Sequence, residues 1–332
     1  MHAEVVEEAA ALSAHAAAWD ALAVAARRPV AAPGWLLPWL EHASAGARPH
    51  TVIVREDRET VAIAPFVAAR EHGVRRLRLM AARTSFGVDV LCRPGREEEA
   101  AAHIRSVLNA DAITFDGIPG GSPWPALLGG RGMHAPRIAM RVAVPEVRLT
   151  PDWLSTRSAN FRQQMRRAWR KLDAQLTTEP DVEAFARLHR ARWDPRGGSG
   201  VLTPGVEAMI ASAAEQLGPD RLRMFTLRAE DRAISSHLFL AAGGHVTYWL
   251  GGHDDAYAKH HPAQVVILRA IEDAIERGDE TLDLGAGDQP YKRRFATGET
   301  ALLTAVVPLK SPRLPLVLGD VAARRLRRKV AA

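Results

Sequence analysis

Cysteine is almost missing from this chain. A single residue, Cys92, in 332 leaves no partner for an intramolecular disulfide and no material for a thiolate zinc cage. Its surroundings, Leu91-Cys92-Arg93-Pro94-Gly95, offer nothing to activate a nucleophile, so Cys92 reads as packing. No His, Asp and Glu cluster has metal-ligand spacing, and no metal is expected. Lysine is also sparse, five residues against 39 arginines, which looks like coding bias and carries no functional weight. No apolar run approaches the ~20 residues needed to cross a bilayer. The N-terminus carries Glu4, Glu7 and Glu8, and His15 and Asp20 interrupt the Ala-rich stretch that follows. Neither pattern is that of a signal peptide. A reducing, cytoplasmic location without stable membrane insertion is the expectation.

What is present is ordinary globular composition, 47% hydrophobic and 25% charged, in a length that suits two domains of about 150 residues. The net charge of +6 is localised. Lys310, Arg313, Arg324, Arg325, Arg327, Arg328 and Lys329 stand against Asp320 alone in the last 23 residues, which accounts for all of it. The body is therefore near neutral, and the tail suits either a phosphate-bearing or acidic partner or a solvated terminal helix.

The hydrophobic pattern occurs twice. Thr51–Arg55 and Val61–Ala68 alternate around a charged turn, with a further strand at Leu77–Met80. Downstream, Arg223–Arg228 and Ile234–Ala241 do the same, followed by His245–Leu250. These are hairpin signatures. Each copy continues with an amphipathic helix, Glu97–Leu108 or Ala263–Glu276, and one more strand, Ala112–Phe115 or Thr281–Leu284. The repetition indicates a duplicated α/β (α+β) domain. The expected division is 1–148, 149–310, and a basic, helical tail at 311–332. Residues 153–176 are expected to form a basic helix, on which Arg162, Arg166 and Arg170 share a face at i, i+4, i+8 spacing.

Four motifs then carry a resemblance: Asn160-Phe161-Arg162 with Met165-Arg166-Arg167; Leu188-His189-Arg190-Ala191-Arg192-Trp193; Tyr248-Trp249-Leu250-Gly251-Gly252-His253-Asp254; and Leu282-Asp283-Leu284-Gly285-Ala286-Gly287-Asp288-Gln289-Pro290-Tyr291-Lys292-Arg293-Arg294-Phe295. Over about residues 15–310 their order resembles the GNAT superfamily acyltransferases of the CelD/BcsL type, relatives of the Fem-type aminoacyl-tRNA-dependent transferases. The resemblance implies two tandem GNAT-like domains, each a mixed, mostly antiparallel sheet flanked by helices. It also implies acyl transfer to an amine or hydroxyl of a small-molecule, sugar or natural-product acceptor. Acetyl-CoA or another acyl-CoA is the co-substrate it implies, with acyl carrier protein or tRNA as other possible partners. The chain departs from the family at the turn that meets the donor pyrophosphate. Lys259-His260-His261-Pro262-Ala263-Gln264 has none of the usual glycines, although a helix N-terminus with Pro at its first turn still suits phosphate.

Acyl transfer needs a base, oxyanion donors and an acid for the leaving group. Tyr291, just past the last strand of the second copy, is the candidate acid. His237 and Asp254 are candidate bases. Arg192, Trp193, Trp249, Asp283 and Lys292 are candidate substrate-binding residues, through charge and stacking. Lys259, His261, Ala263 and Gln264 are candidates for the donor. Each also has an ordinary structural reading: a hydrogen-bonded core Tyr or His, a buried Asp paired with Lys292 or a backbone amide, an amphipathic helix end at Arg192-Trp193.

Three rival readings stay open on sequence. Thr281–Asp288 resembles the first glycine motif of a methyltransferase, but only 45 residues follow Gly287, too few to complete a doubly wound sheet. A Fem-like enzyme using aminoacyl-tRNA would employ the basic helix and tail on phosphates. A degenerate, non-catalytic scaffold in a polysaccharide or secondary-metabolite pathway would bind no donor.

Overall fold

The computed structural model describes residues 1–323 in full and the backbone of the last helix, Leu314–Ala331, beyond that. The basic cluster Arg324, Arg325, Arg327, Arg328 and Lys329 lies outside the described residues. The chain forms two compact units, 1–142 with 301–332, and 143–300. The polypeptide thus returns to its first unit at the end, and the segment 301–310, expected with the second domain, lies in the first. The cause is a strand absent from the sequence reading. Gly298–Pro308 runs antiparallel to Ala112–Pro119, pairing Val307 with Ile113 and Val306 with Thr114.

In unit 1, Thr51–Glu56 and Glu59–Ala64 form the expected hairpin, flanked by His2–Val6 and Leu91–Cys92. The expected single strand Val61–Ala68 is two strands in different sheets, Glu59–Ala64 and Phe66–Glu71. Pro65 separates them, because proline supplies no N–H to continue a ladder. Phe66–Glu71 returns along Val74–Leu79, which runs parallel to Ala112–Pro119. Two parallel neighbours need a crossover, and here it contains the Glu97–Val107 helix. Trp19 and Trp35 fill the core, their indole N–H groups bonded to the Ala31 carbonyl and the Ser85 hydroxyl.

Unit 2 repeats the plan. Its strands lie in the order Gln175–Thr177, Leu222–Ala229, Arg232–Ala242, His245–His253, Thr281–Asp283 and the end of Arg137–Arg148. The first four are antiparallel to their neighbours, and His245–His253 is parallel to Thr281–Asp283. The crossover is the Pro262–Glu276 helix, which buries Val265, Val266, Ile267, Ala270, Ile271 and Ala274 at helical spacing. One parallel pair in an otherwise antiparallel unit excludes a doubly wound methyltransferase sheet. The basic segment is a turn at Trp153–Thr156, then a helix, Ala159–Leu172. Ser158 caps that helix by accepting from the Phe161 amide. Phe161, Met165, Ala168 and Leu172 are its buried residues, and Pro204–Arg221 is a further helical segment, broken at Gly218 (φ 67°), beyond the sequence expectation.

Two features of strand His245–His253 shape the site. Its ladder with Arg232–Ala242 pairs Leu250 with Leu238 but Tyr248 with Phe239, so Trp249 is the extra residue of a β-bulge. Its parallel pairing ends at Thr247–Asp283, just before the bulge. The glycines that follow are required by close approach. A Cβ on Gly252 would lie 2.5 Å from the His189 nitrogen and the Leu188 carbonyl carbon of the Val182–Trp193 helix.

Candidate active site

A loop ahead of a helix positions the first group of side chains. Asp255–His260 forms a short turn that ends on His261, whose backbone is left-handed (φ 54°). Pro262 then begins the helix and has no N–H to give. The Gln264 and Val265 amides both donate to the His261 carbonyl, which leaves the Ala263 amide as the first-turn backbone donor. Backbone donors are therefore few, and the Gln264 side-chain oxygen is buried without a partner. Cationic side chains replace them. A cleft of ≈ 390 Å³ is lined by Lys259, His260 and His261, and by Asn160, Gln163, Gln164, Arg167 and Lys171 of the Ala159–Leu172 helix. Among the described residues, no acidic side chain lines it. Loss of solvation first, and then the Lys259 and Lys171 charges, hold the His260 pKa below its usual value.

The second group lies beyond the parallel pair. Asp283 accepts from the Thr247 hydroxyl (2.7 Å), the Gly285 amide (2.9 Å) and a ring nitrogen of His245 (3.2 Å). It thereby fixes the turn at Gly285, whose φ of +73° is a glycine conformation. Lys292 reaches back into that turn, and its Nζ donates to the Gly285 and Ala286 carbonyls at 3.1 and 2.9 Å. It is only 4% exposed. Burial lowers its pKa to about 8, opposed by the Asp283 charge. Asp283 and Lys292 thus interact through charge, while the hydrogen-bond partners of Asp283 are hydroxyl, imidazole and amide. Tyr291 precedes Lys292 on the short Pro290–Arg293 helix and packs against the core. Burial raises its phenol pKa, with Arg192 pulling the other way.

The Val182–Trp193 helix supplies the remaining residues. Phe185, His189 and Trp193 recur at i, i+4, i+8, each ring 6.2–6.3 Å from the next. Trp249, from the bulge, stacks on Phe185 at 6.3 Å and 20°. Arg192 and Arg196 share the carboxylate of Asp255 (2.8 and 3.3 Å), and His253 lies 3.6 Å from it. Burial, then the Arg192 charge, depresses the His253 pKa. Trp193 is 41% exposed.

Two candidate bases sit in settings that do not suit a base. His237 is buried with both ring nitrogens bonded, to Tyr248 and Ser235. Burial first, and then His253 and His189, lower its pKa to about 3, so it stays neutral and enclosed. Asp254 caps the following turn through the Ala256 amide and pairs with Arg232 at 2.7 Å, which occupies both oxygens. Several residues escaped sequence reading. The stripe Arg162, Arg166 and Arg170 does not line the cleft. Arg162 instead bonds the Ser155 and Arg157 carbonyls, and the cleft takes Arg167 and Lys171. Spacing shows which helical residues lie together, but not which face meets the loop. Tyr248 stood within a quoted motif, yet its pairing with His237 depends on the bulge.

Residues 159–293 match the Acetyltransferase (GNAT) domain family, so this stretch of unit 2 is similar to a GNAT-type acetyltransferase domain. Among solved structures, FemX matches with a TM-score of 0.65 and 13% identity, over 96% of this chain and 100% of that one. The C-terminal domain (DUF2156) of a putative lysylphosphatidylglycerol synthetase from Agrobacterium fabrum matches at 0.59 and 12%, over 93% and 96%. A conserved protein of unknown function from Bacteroides thetaiotaomicron VPI-5482 matches at 0.56 and 10%, over 89% and 97%. At these identities the likeness is one of fold. No curated protein sequence matches the chain.

Proposed function

We propose that unit 2 transfers an acyl group, acetyl in the first instance, from acyl-CoA to an amine or hydroxyl of a small-molecule or sugar acceptor. The observation that carries this reading is the cationic cleft at the start of the Pro262–Glu276 helix, the helix that crosses over between two parallel strands whose pairing stops at Thr247 and Asp283. Phosphates of the donor engage Lys259, His261, Arg167, Lys171 and the Ala263 amide, with Gln264 adjoining. The acceptor is held by Arg192, Trp193 and Trp249. Its nucleophile attacks the thioester carbon directly, so the new C–N or C–O bond forms as the C–S bond breaks. The acceptor proton passes to His253, which is neutral and partly accessible. Tyr291 gives its proton to the departing thiolate, a role for which a phenol kept protonated by burial is suited. Lys292, as an ammonium, has a third N–H beyond the two given to carbonyls, available to the developing oxyanion. Asp283 keeps that amine placed. The kinship with CelD/BcsL-type proteins and a cytoplasmic site of action belong to the same proposal.

Titration calorimetry with acetyl-CoA and a longer acyl-CoA, at two salt concentrations, tests it. Micromolar binding that weakens in Arg167→Ala supports the reading, and no heat with either donor overturns it. One observation favours a second reading, a donor of aminoacyl-tRNA type. Phosphate recognition here rests on side chains with few backbone donors, and such a surface serves a nucleic-acid backbone as well as a pyrophosphate. Binding of tRNA with a steep salt dependence, in the absence of CoA binding, would select it.

A further inference from the structure

The transfer just described leaves unused a buried imidazole near its reacting groups. His237 is 3% exposed. Its Nδ1 lies 3.1 Å from the Tyr248 hydroxyl and its Nε2 3.1 Å from the Ser235 hydroxyl. Ser235 in turn donates to the Gly252 carbonyl at 3.3 Å. Each proton then has one place. The single Ser235 proton goes to Gly252, so the Ser235 oxygen accepts from His237. Nε2 therefore carries the imidazole proton, Nδ1 is bare, and Tyr248 donates to it. The strand is built to admit this ring, since a Cβ on Gly251 would lie 2.2 Å from His237 Nδ1.

Tyr248 connects the chain to the site. The bulge sets it opposite Phe239, with ring centres 5.1 Å apart. On the other side it meets Gly285. The Tyr248 carbonyl oxygen and ring Cδ1 lie 3.0 and 3.5 Å from the position a Gly285 Cβ would take. Gly285 and Ala286 are the two carbonyls that hold Lys292. We propose that His237 is a positioning residue: by accepting the Tyr248 proton it fixes that ring against the Gly285 turn and so sets the place of the Lys292 amine. This rests on the acyl-transfer reading only for its consequence in turnover, not for the hydrogen-bond chain itself.

Kinetics of His237→Leu, Tyr248→Phe and the double variant test the consequence. Each single change is expected to lower kcat roughly 10- to 100-fold, with KM for both substrates and donor affinity by calorimetry near wild type. The double variant should be no worse than either single one, because both break one link. His237→Asn, whose side-chain oxygen still accepts from Tyr248, should recover most of the loss, and it carries the cycle if His237→Leu does not fold. Full kcat in Tyr248→Phe, or losses that multiply in the double variant, would overturn the proposal. The chain is tested without activity by NMR of ¹⁵N-histidine-labelled full-length protein. The expected result is a neutral Nε2–H tautomer from pH 5 to 8, with an Nδ1 resonance that shifts in Tyr248→Phe. An Nδ1–H tautomer, or titration within that range, rejects it. If wild-type protein neither binds donor nor turns over, the acyl-transfer reading fails while the NMR result still decides the chain.

Discussion

Each unit crosses from one parallel strand to its neighbour through a helix, and the two helix starts are opposite in charge. In unit 1, Glu97, Glu98 and Glu99 occupy the first turn, and the Arg96 guanidinium is held by Glu56 and Glu99. In unit 2 the first turn has no acid, and Lys259, His260 and His261 precede it. Carboxylates at a helix N-terminus satisfy its dipole internally, so the unit 1 helix start needs no ligand. The spaces beyond the parallel pairs differ too. In unit 1 the Gly87 amide donates to the Gly117 carbonyl at 2.7 Å, and the Phe86 ring sits 2.4 Å from where a Gly117 Cβ would be. The chain fills its own opening. In unit 2 the corresponding place carries Tyr291 and Lys292. A duplicated frame thus keeps its topology in both units, while the proposed site lies in the unit whose helix start carries cations and no acid.

The strongest test of that contrast is charge reversal. Arg167→Glu with Lys259→Glu should weaken donor binding by at least about 100-fold, since each replaces a charge-assisted contact with repulsion. Arg96→Ala in unit 1 should leave donor affinity unchanged, and calorimetry on both proteins decides the matter. Equal losses would mean that unit 1 also binds donor. Next, Tyr291→Phe should lower kcat by about 100-fold with KM retained, which is the usual scale for removing a general acid. A change in KM alone would make Tyr291 a binding residue.

The tandem frame was legible because periodicity and turn chemistry occur in both copies, and the Pro262–Glu276 helix declared itself through its apolar spacing. Lys259 and His261 were legible as candidates for the donor because they adjoin that helix in sequence. That Arg167 and Lys171 line the same cleft was not legible, since it depends on which face of the Ala159–Leu172 helix packs on the core. Phe161, Met165, Ala168 and Leu172 decide that face. His237 looked like a base because imidazole suits one, and only the sheet register shows both of its nitrogens occupied. The returning strand Gly298–Pro308 was missed because its partner, Ala112–Pro119, is nearly two hundred residues away.

Steric contrasts are expected to be smaller. Gly252→Ala forces a Cβ to within 2.5 Å of helix backbone, and should cost about 1–3 kcal/mol in urea unfolding, the range for overpacking. Gly95→Ala in unit 1 has open space at its Cβ and only a positive φ to strain. It should cost about 1 kcal/mol. Similar losses at both positions would deny that helix and strand are in tight contact at Gly252.

The finest distinction is in how each unit responds to pH. Unit 1 buries Asp89 against the Ser122 hydroxyl and the Val90 amide, and burial raises its pKa to about 7. A carboxyl whose folded pKa lies above its unfolded value binds its proton more tightly when folded. Its contribution to stability is therefore present below the ordinary value of 3.8 and is lost as pH rises toward 7. Asp89→Asn should remove that slope from unfolding midpoints measured between pH 4 and 8. Unit 2 should respond in rate instead. Lys292 is lowered to about 8, so the ammonium proposed to serve the oxyanion is lost above that pH, and kcat should fall about tenfold by pH 9. Asp283→Asn removes the charge that favours the ammonium and should move this limb to lower pH. His253, depressed below 6.5, should place the acid limb beneath that value. A kcat that stays flat through pH 9, with unfolding still sloped between pH 4 and 7, would keep the account of Asp89 and remove Lys292 from the reaction.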